Sequence, residues 1–224
     1  MLRFKQIAGI IFNTFFFAVM LFVPARSIRW PRAWIFLAVV VVGTAVTTFV
    51  LPEELLNERY KAPVQRGQPL FDQIGIFAFV GSFVVAVLFI PFDVFRFHLL
   101  RQPGIVTSIF GLALFAAGWT LLTIAMRANA FAAPVVRYQK ERGQRVIDSG
   151  PYRVVRHPMY SAVIPLLVGM SLWLGSFAGA IVSIVPTVLI GIRAVLEEKF
   201  LRRELPGYAE YTTRTRFRMF PYVW

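Results

Sequence analysis

The sequence predicts an all-α integral membrane fold of about six transmembrane helices, the last two joined as a tight hairpin. Three observations predict it. The 224 residues are 58% hydrophobic and only 16% charged, with a mean hydropathy of +0.66, which is more apolar surface than a soluble domain of this length buries. Apolar stretches recur at lengths near the ~20 residues that cross ~30 Å of hydrocarbon as a helix. The basic residues are concentrated in alternate loops.

The first two stretches are 7–23 and 33–51. The leading MLRFKQ could pass for a secretory leader, but the apolar run behind it is long and further runs follow, so it is expected to stay as an anchor. The connector 52–73, PEELLNERYKAPVQRGQPLFDQ, starts with helix-favouring residues after an N1-like Pro52 and breaks at Pro63, Gly67 and Pro69. It is expected to be a solvated amphipathic connector, with substrate gating as the alternative. The third and fourth stretches are 74–92 and 105–126. The last two, 159–174 and 177–196, are separated only by Gly175 and Ser176, which forces an antiparallel hairpin.

The net charge of +13 raises the question of a polyanionic partner. Under the six-span arrangement, segments 1–6, 52–73, 127–158 and 193–224 lie on one side of the bilayer and hold 19 of the 24 Lys and Arg. The opposite loops, 24–32 and 93–104, hold the other five. That split is the positive-inside bias, with both termini cytoplasmic. It accounts for the charge without nucleic acid.

Residue types weigh against other classes. There is no cysteine, hence no disulfide, thiolate nucleophile or Cys-ligated metal. The two histidines, His98 and His157, fall on opposite sides of the bilayer, so no metal site is expected. Asp148, Ser149 and His157 are close in sequence, but no nucleophile elbow accompanies them. The alternative of another class is a small transporter, which would need charge or broken helices at mid-depth; the spans hold almost no mid-depth charge, and although Pro165 and Pro186 could kink the hairpin arms, no inverted repeat accompanies them.

The passage GPYRVVRHPMY, residues 150–160, is the informative one. Gly150 and Pro151 make a turn. Pro158 keeps His157 extended and suits the first position of the following helix, which makes His157 N-cap-like at the membrane surface. The helix start, with Arg153 and Arg156, is expected to attract an anionic group. The returning hairpin arm ends GIRAVLEEKFL, in which Arg193 and Glu197 are four apart on one helical face near the membrane boundary. Ionisable residues there are functional candidates, and Glu198 points about a quarter turn away. A zwitterionic sulfonium cofactor would need cationic partners for a carboxylate, anionic partners for an ammonium, and aromatic surroundings. The hairpin and the tail residues Tyr208, Tyr211, Arg214, Arg216 and Arg218 supply each kind.

Together, RYQKERGQRVIDSGPYRVVRHPMY, the short hairpin, EEKFL and PGYAEYTTRTRFRMFP resemble the integral-membrane methyltransferase family of isoprenylcysteine carboxyl methyltransferases and phospholipid N-methyltransferases. PEELLNERYK resembles the isoprenylcysteine branch. The resemblance implies an S-adenosylmethionine pocket on the cytoplasmic side without a Rossmann domain, built by residues 127–224 behind an N-terminal transmembrane region, 1–126. It implies that Tyr152, Arg156, His157 and Tyr160 lie along the cofactor and that Glu198 helps hold its polar end. Arg193 and Glu197 match the pair expected near the transferred methyl. The implied acceptor is a lipid or lipid-modified molecule reaching the site from the bilayer. Under carboxyl methylation Arg193 would orient the acceptor and Glu197 would fix Arg193; under amine methylation Glu197 could take the proton.

Overall fold

The computed structural model describes residues 2–224, with side chains from residue 6 onward. Arg3 and Lys5, which enter the charge argument, have side chains outside the described residues. Among the described residues the backbone is helical without a named strand: α1 (Leu2–Ala25), α2 (Pro31–Val50), α3 (Glu53–Arg59), α4 (Leu70–Phe92), α5 (Ile105–Ala128), α6 (Pro158–Leu174), α7 (Phe177–Val182), α8 (Ile184–Glu204) and α9 (Tyr208–Arg214). Five stretches are long and apolar enough to cross a membrane: Gln6–Ala25, Pro31–Val50, Leu70–Phe97, Ile105–Ala128 and Phe177–Glu204. The sixth expected span, α6, has 17 residues. The outward faces are apolar, with Phe12 and Phe15 on α1 and Val106 and Phe110 on α5 exposed.

The chain forms two compact units, neither of them continuous in sequence. The first comprises Met1–Val50, Gly81–Thr120 and Ile164–Pro186. It is held by small-residue contacts and a few polar ties, as membrane helices are where apolar surface alone gives no preference for protein over lipid. A Cβ at Gly169 would lie 2.6 Å from the Gly111 carbonyl oxygen, so α5 and α6 touch backbone to backbone. Asn13 donates to Thr44 at 2.8 Å. At the turn of the hairpin Gly175 takes a φ of +102°, and the Ser176 hydroxyl caps α7 by accepting from the Gly179 N–H while donating to the buried Asp93. The returning arm breaks at Ser183, between α7 and α8, just ahead of Pro186; a proline there has no N–H to continue the helical ladder.

The second unit comprises Leu51–Val80, Leu121–Val163 and Thr187–Trp224. The connector therefore groups with the linker and the tail. It is less solvated than expected: α3 buries Leu55 and Leu56, which pack with Leu51, Met126 and Ala132. Its Glu58 is bound by Lys61 and Arg137. Pro52 caps α3 from outside rather than opening its first turn. The tail is strapped to the linker by a parallel bridge between Val155 and Phe217, with the Arg156 and His157 N–H groups donating to the Phe217 and Arg218 carbonyls at 2.9 and 2.8 Å.

Candidate functional site

Inside the second unit is a cavity of about 300 Å³, at the small end of the range for ligand sites. Each side contributes through a local feature. Pro158 opens α6 as expected and leaves Arg156 and His157 on the extended stretch before it. Gly150 takes a left-handed φ of +56°, which starts the short turn Gly150–Arg153 and directs Tyr152 inward. The last turns of α8 bring Arg193 and Glu197, and α9 brings Tyr208 and Tyr211.

Six of the seven expected site residues, Tyr152, Arg156, His157, Tyr160, Arg193 and Glu197, line this cavity. Glu198 does not. It lies behind Arg156 and His157, 3% exposed, where its carboxylate accepts from Arg156 Nε and Nη2 at 2.7 and 3.2 Å, sits 3.2 Å from His157 Nε2, and accepts from Arg218 at 3.1 Å. The anion expected at the start of α6 is thus the protein's own. Arg156 is further saturated by the Thr215 and Arg216 carbonyls, and Arg153 is exposed.

The expected partnership between Arg193 and Glu197 is not formed. Arg193 donates from Nε to Asp72 at 2.8 Å and from Nη2 to the Pro134 carbonyl at 2.7 Å, with Nη2 also 2.7 Å from the Asp72 carboxylate. Glu197 instead accepts the Tyr160 hydroxyl. The reason is geometric: residues four apart on a helix are neighbours, but Asp72, at 0% exposure, also accepts from Gln68 and the Val136 N–H, and only a buried, preorganised carboxylate offsets the desolvation of a guanidinium. The Arg193 guanidinium lies 5.7 Å over the Tyr160 ring, and that ring stacks on His157 at 5.3 Å.

Asp72 and Arg59 are the site residues that the sequence reading passes over. Both lie in the connector, and the one signal for Asp72 is an acidic residue in the first turn of a membrane helix. Among the tail residues, Tyr208 and Tyr211 line the cavity, Arg218 serves Glu198, and Arg214 pairs on the surface with Asp148 at 3.3 Å. Burial pushes the Tyr152 and Tyr208 phenols above their ordinary range and the Tyr211 phenol up to about 12. Tyr211 donates to the Tyr152 carbonyl at 2.6 Å. Among the described residues the Tyr152 hydroxyl is buried without a hydrogen bond of normal geometry, with the Asn129 side chain near it.

Residues 106–206 match the phospholipid methyltransferase family. This is the family that the RHP passage, the hairpin and EEKFL resemble. The match runs from α5 to just past the end of α8 and leaves out α9, the tail and the connector that carries Arg59 and Asp72. No curated protein sequence matches the chain. With five membrane-length helices, the family match supports an integral membrane methyltransferase.

Proposed function

We propose that the chain transfers a methyl group from S-adenosylmethionine to a lipidic or lipid-modified acceptor, by carboxyl O-methylation. The observation that carries this reading is the gathering of Tyr152, Arg156, His157, Tyr160, Arg193 and Glu197 around one cavity in a chain that matches the family over α5 to α8. The donor set fits the cofactor. A carboxylate among tyrosine rings suits a sulfonium or ammonium, and the orphaned Tyr152 hydroxyl is a donor that a ligand would satisfy. Tyr152, Arg156, His157 and Tyr160 would hold it, with Glu198 fixing Arg156 and His157 from behind.

When bound, S-adenosylmethionine supplies an electrophilic methyl carbon, whose bond to sulfur breaks as a bond to the acceptor oxygen forms, the electron pair returning to sulfur. The residues of this chain align the reactants and exclude water, tasks worth about 7–11 kcal/mol in well-oriented systems. An acceptor carboxylate is already ionised and needs no base. Arg193, with Nε and Nη2 engaged by Asp72 and Pro134, has Nη1 left to orient it. The six-span count, with 19 of the 24 Lys and Arg on one side of the bilayer, supports a cytoplasmic site and cytoplasmic termini.

The description of the matching family favours a second reading, methylation of an aminophospholipid. Glu197, held by Tyr160, would then take the amine proton. Transfer of labelled methyl from S-adenosylmethionine to a prenylcysteine, a fatty acid or an aminophospholipid separates the two. Failure of folded protein in detergent to bind either S-adenosylmethionine or S-adenosylhomocysteine by isothermal titration would sink both.

A further inference from the structure

Five arginines line the cavity, and three already have carboxylates: Arg137 has Glu58 and Glu141, Arg156 has Glu198, and Arg193 has Asp72; Arg145 has none among the described residues and is exposed to solvent. Arg59, the last residue of α3, also lines the cavity, and among the described residues it has no carboxylate. Its protein acceptor is the Ala132 carbonyl, reached from Nη1 at 3.0 Å. Burial lowers its pKa, yet a guanidinium stays charged in a protein. Arg59 is half-buried, so part of its hydration is lost without an anion to offset the cost, and most of its N–H donors have no protein acceptor.

Beside Arg59 is the Tyr152 hydroxyl, which is buried and makes no hydrogen bond of normal geometry among the described residues, the Asn129 side chain being near enough to act on its ionisation. The two are close enough for each to act on the ionisation of the other, and burial keeps the phenol in its neutral, donating form. Both are held on firm supports. Arg59 follows Leu55 and Leu56, which are packed in the core, and Glu58, which is tied to Arg137. Tyr152 is fixed by the bond from Tyr211 to its carbonyl. A guanidinium without a carboxylate and a buried, unsatisfied hydroxyl therefore meet on one cavity.

We propose that Arg59 and Tyr152 form an oxyanion-binding subsite that takes the carboxylate or phosphate of a ligand in the cavity. Under the methyltransferase reading, on which the choice of probes rests, two ligands carry such a group: the amino-acid end of the cofactor and the anionic head of the acceptor.

The test is isothermal titration of the full chain in detergent with two pairs of probes. S-adenosylhomocysteine is compared with 5′-methylthioadenosine, which lacks the amino-acid carboxylate, and N-acetyl-S-farnesylcysteine is compared with its neutral methyl ester. The wild type is expected to favour the carboxylate-bearing member of one pair by about tenfold or more, and the pair that shows it names the source. Arg59→Gln should bring that preference to within about twofold while binding the neutral member as the wild type does, which also shows that it is folded. Tyr152→Phe, which removes only a hydroxyl, should narrow the preference by about threefold. A preference that survives Arg59→Gln, or no preference in either pair, overturns the subsite. Wild type that binds neither adenosyl compound overturns the methyltransferase reading, and the acid and ester pair then decides the subsite alone.

Discussion

Arg193 on α8 is closed on Asp72 at the start of α4, with contacts of 2.7 and 2.8 Å from its two engaged nitrogens. The pair joins residues 121 positions apart, and Gln68, Val136 and Pro134 complete its hydrogen bonds. Breaking it from one side leaves the other charge buried and unpaired. Asp72→Ala should therefore destabilise the protein by about 3–5 kcal/mol, seen as a lower midpoint of thermal unfolding in detergent. The double variant Asp72→Ala with Arg193→Met should recover part of that loss. A single variant that melts like wild type would show that the pair contributes nothing.

Glu198 predicts an effect on ligand binding from a residue that does not line the cavity. Glu198→Ala releases Arg156, His157 and Arg218 together, and the affinity for S-adenosylhomocysteine should fall by about tenfold or more. Glu198→Gln, which keeps the shape and part of the hydrogen bonding, should fall less. Equal affinity in wild type and Glu198→Ala would remove the residue from any role in shaping the site.

Tyr160 donates to Glu197 and stacks on His157. Tyr160→Phe keeps the ring and removes the donor, so S-adenosylhomocysteine affinity should change by less than about threefold. Methyl transfer to an amine acceptor should slow by about tenfold, because Glu197, which takes the proton there, loses the group that orients it, whereas transfer to a carboxylate, which needs no base, should change little. A variant with wild-type turnover of the amine acceptor would separate the Tyr160 hydroxyl from the chemistry.

Tyr211 gives a prediction in pH. Its phenol is pushed up to about 12 by burial, above the unfolded value of about 10. The folded state thus holds a proton that the unfolded state releases, and the contribution is fully present below pH ~10 and lost as pH rises through ~12. Thermal unfolding midpoints in detergent should fall across that window. Tyr211→Phe should show a shallower fall, and one as steep as wild type would assign the alkaline loss to other groups.

Much of the fold was legible in the sequence, since the bilayer demands long apolar runs whatever their partners are. All six expected stretches are helical in the structure, and Gly175 with Ser176 makes the tight turn that their spacing implies. The candidate site was legible where local chemistry sets it. Pro158 and Gly150 place His157 and Tyr152 by backbone restriction alone. The partners of charged residues were less so: helical spacing pairs Arg193 with Glu197, whereas the fold pairs Arg193 with Asp72 and Glu197 with Tyr160.

By itself the sequence determined an all-helical membrane protein with a hairpin of short turn and a polar cluster at the open end of that hairpin. Composition and spacing suffice for those, because hydrocarbon thickness and backbone sterics act locally. Only the tertiary structure decided which carboxylate meets which guanidinium, that Glu198 stands behind the cavity, and that Arg59 reaches it with no carboxylate partner among the described residues. Those outcomes depend on the docking of the connector 52–73 against the linker and α8. In a low-dielectric interior the pairing of each charge is set by whichever partner is both near and already hydrogen-bonded, and no sequence interval encodes that choice.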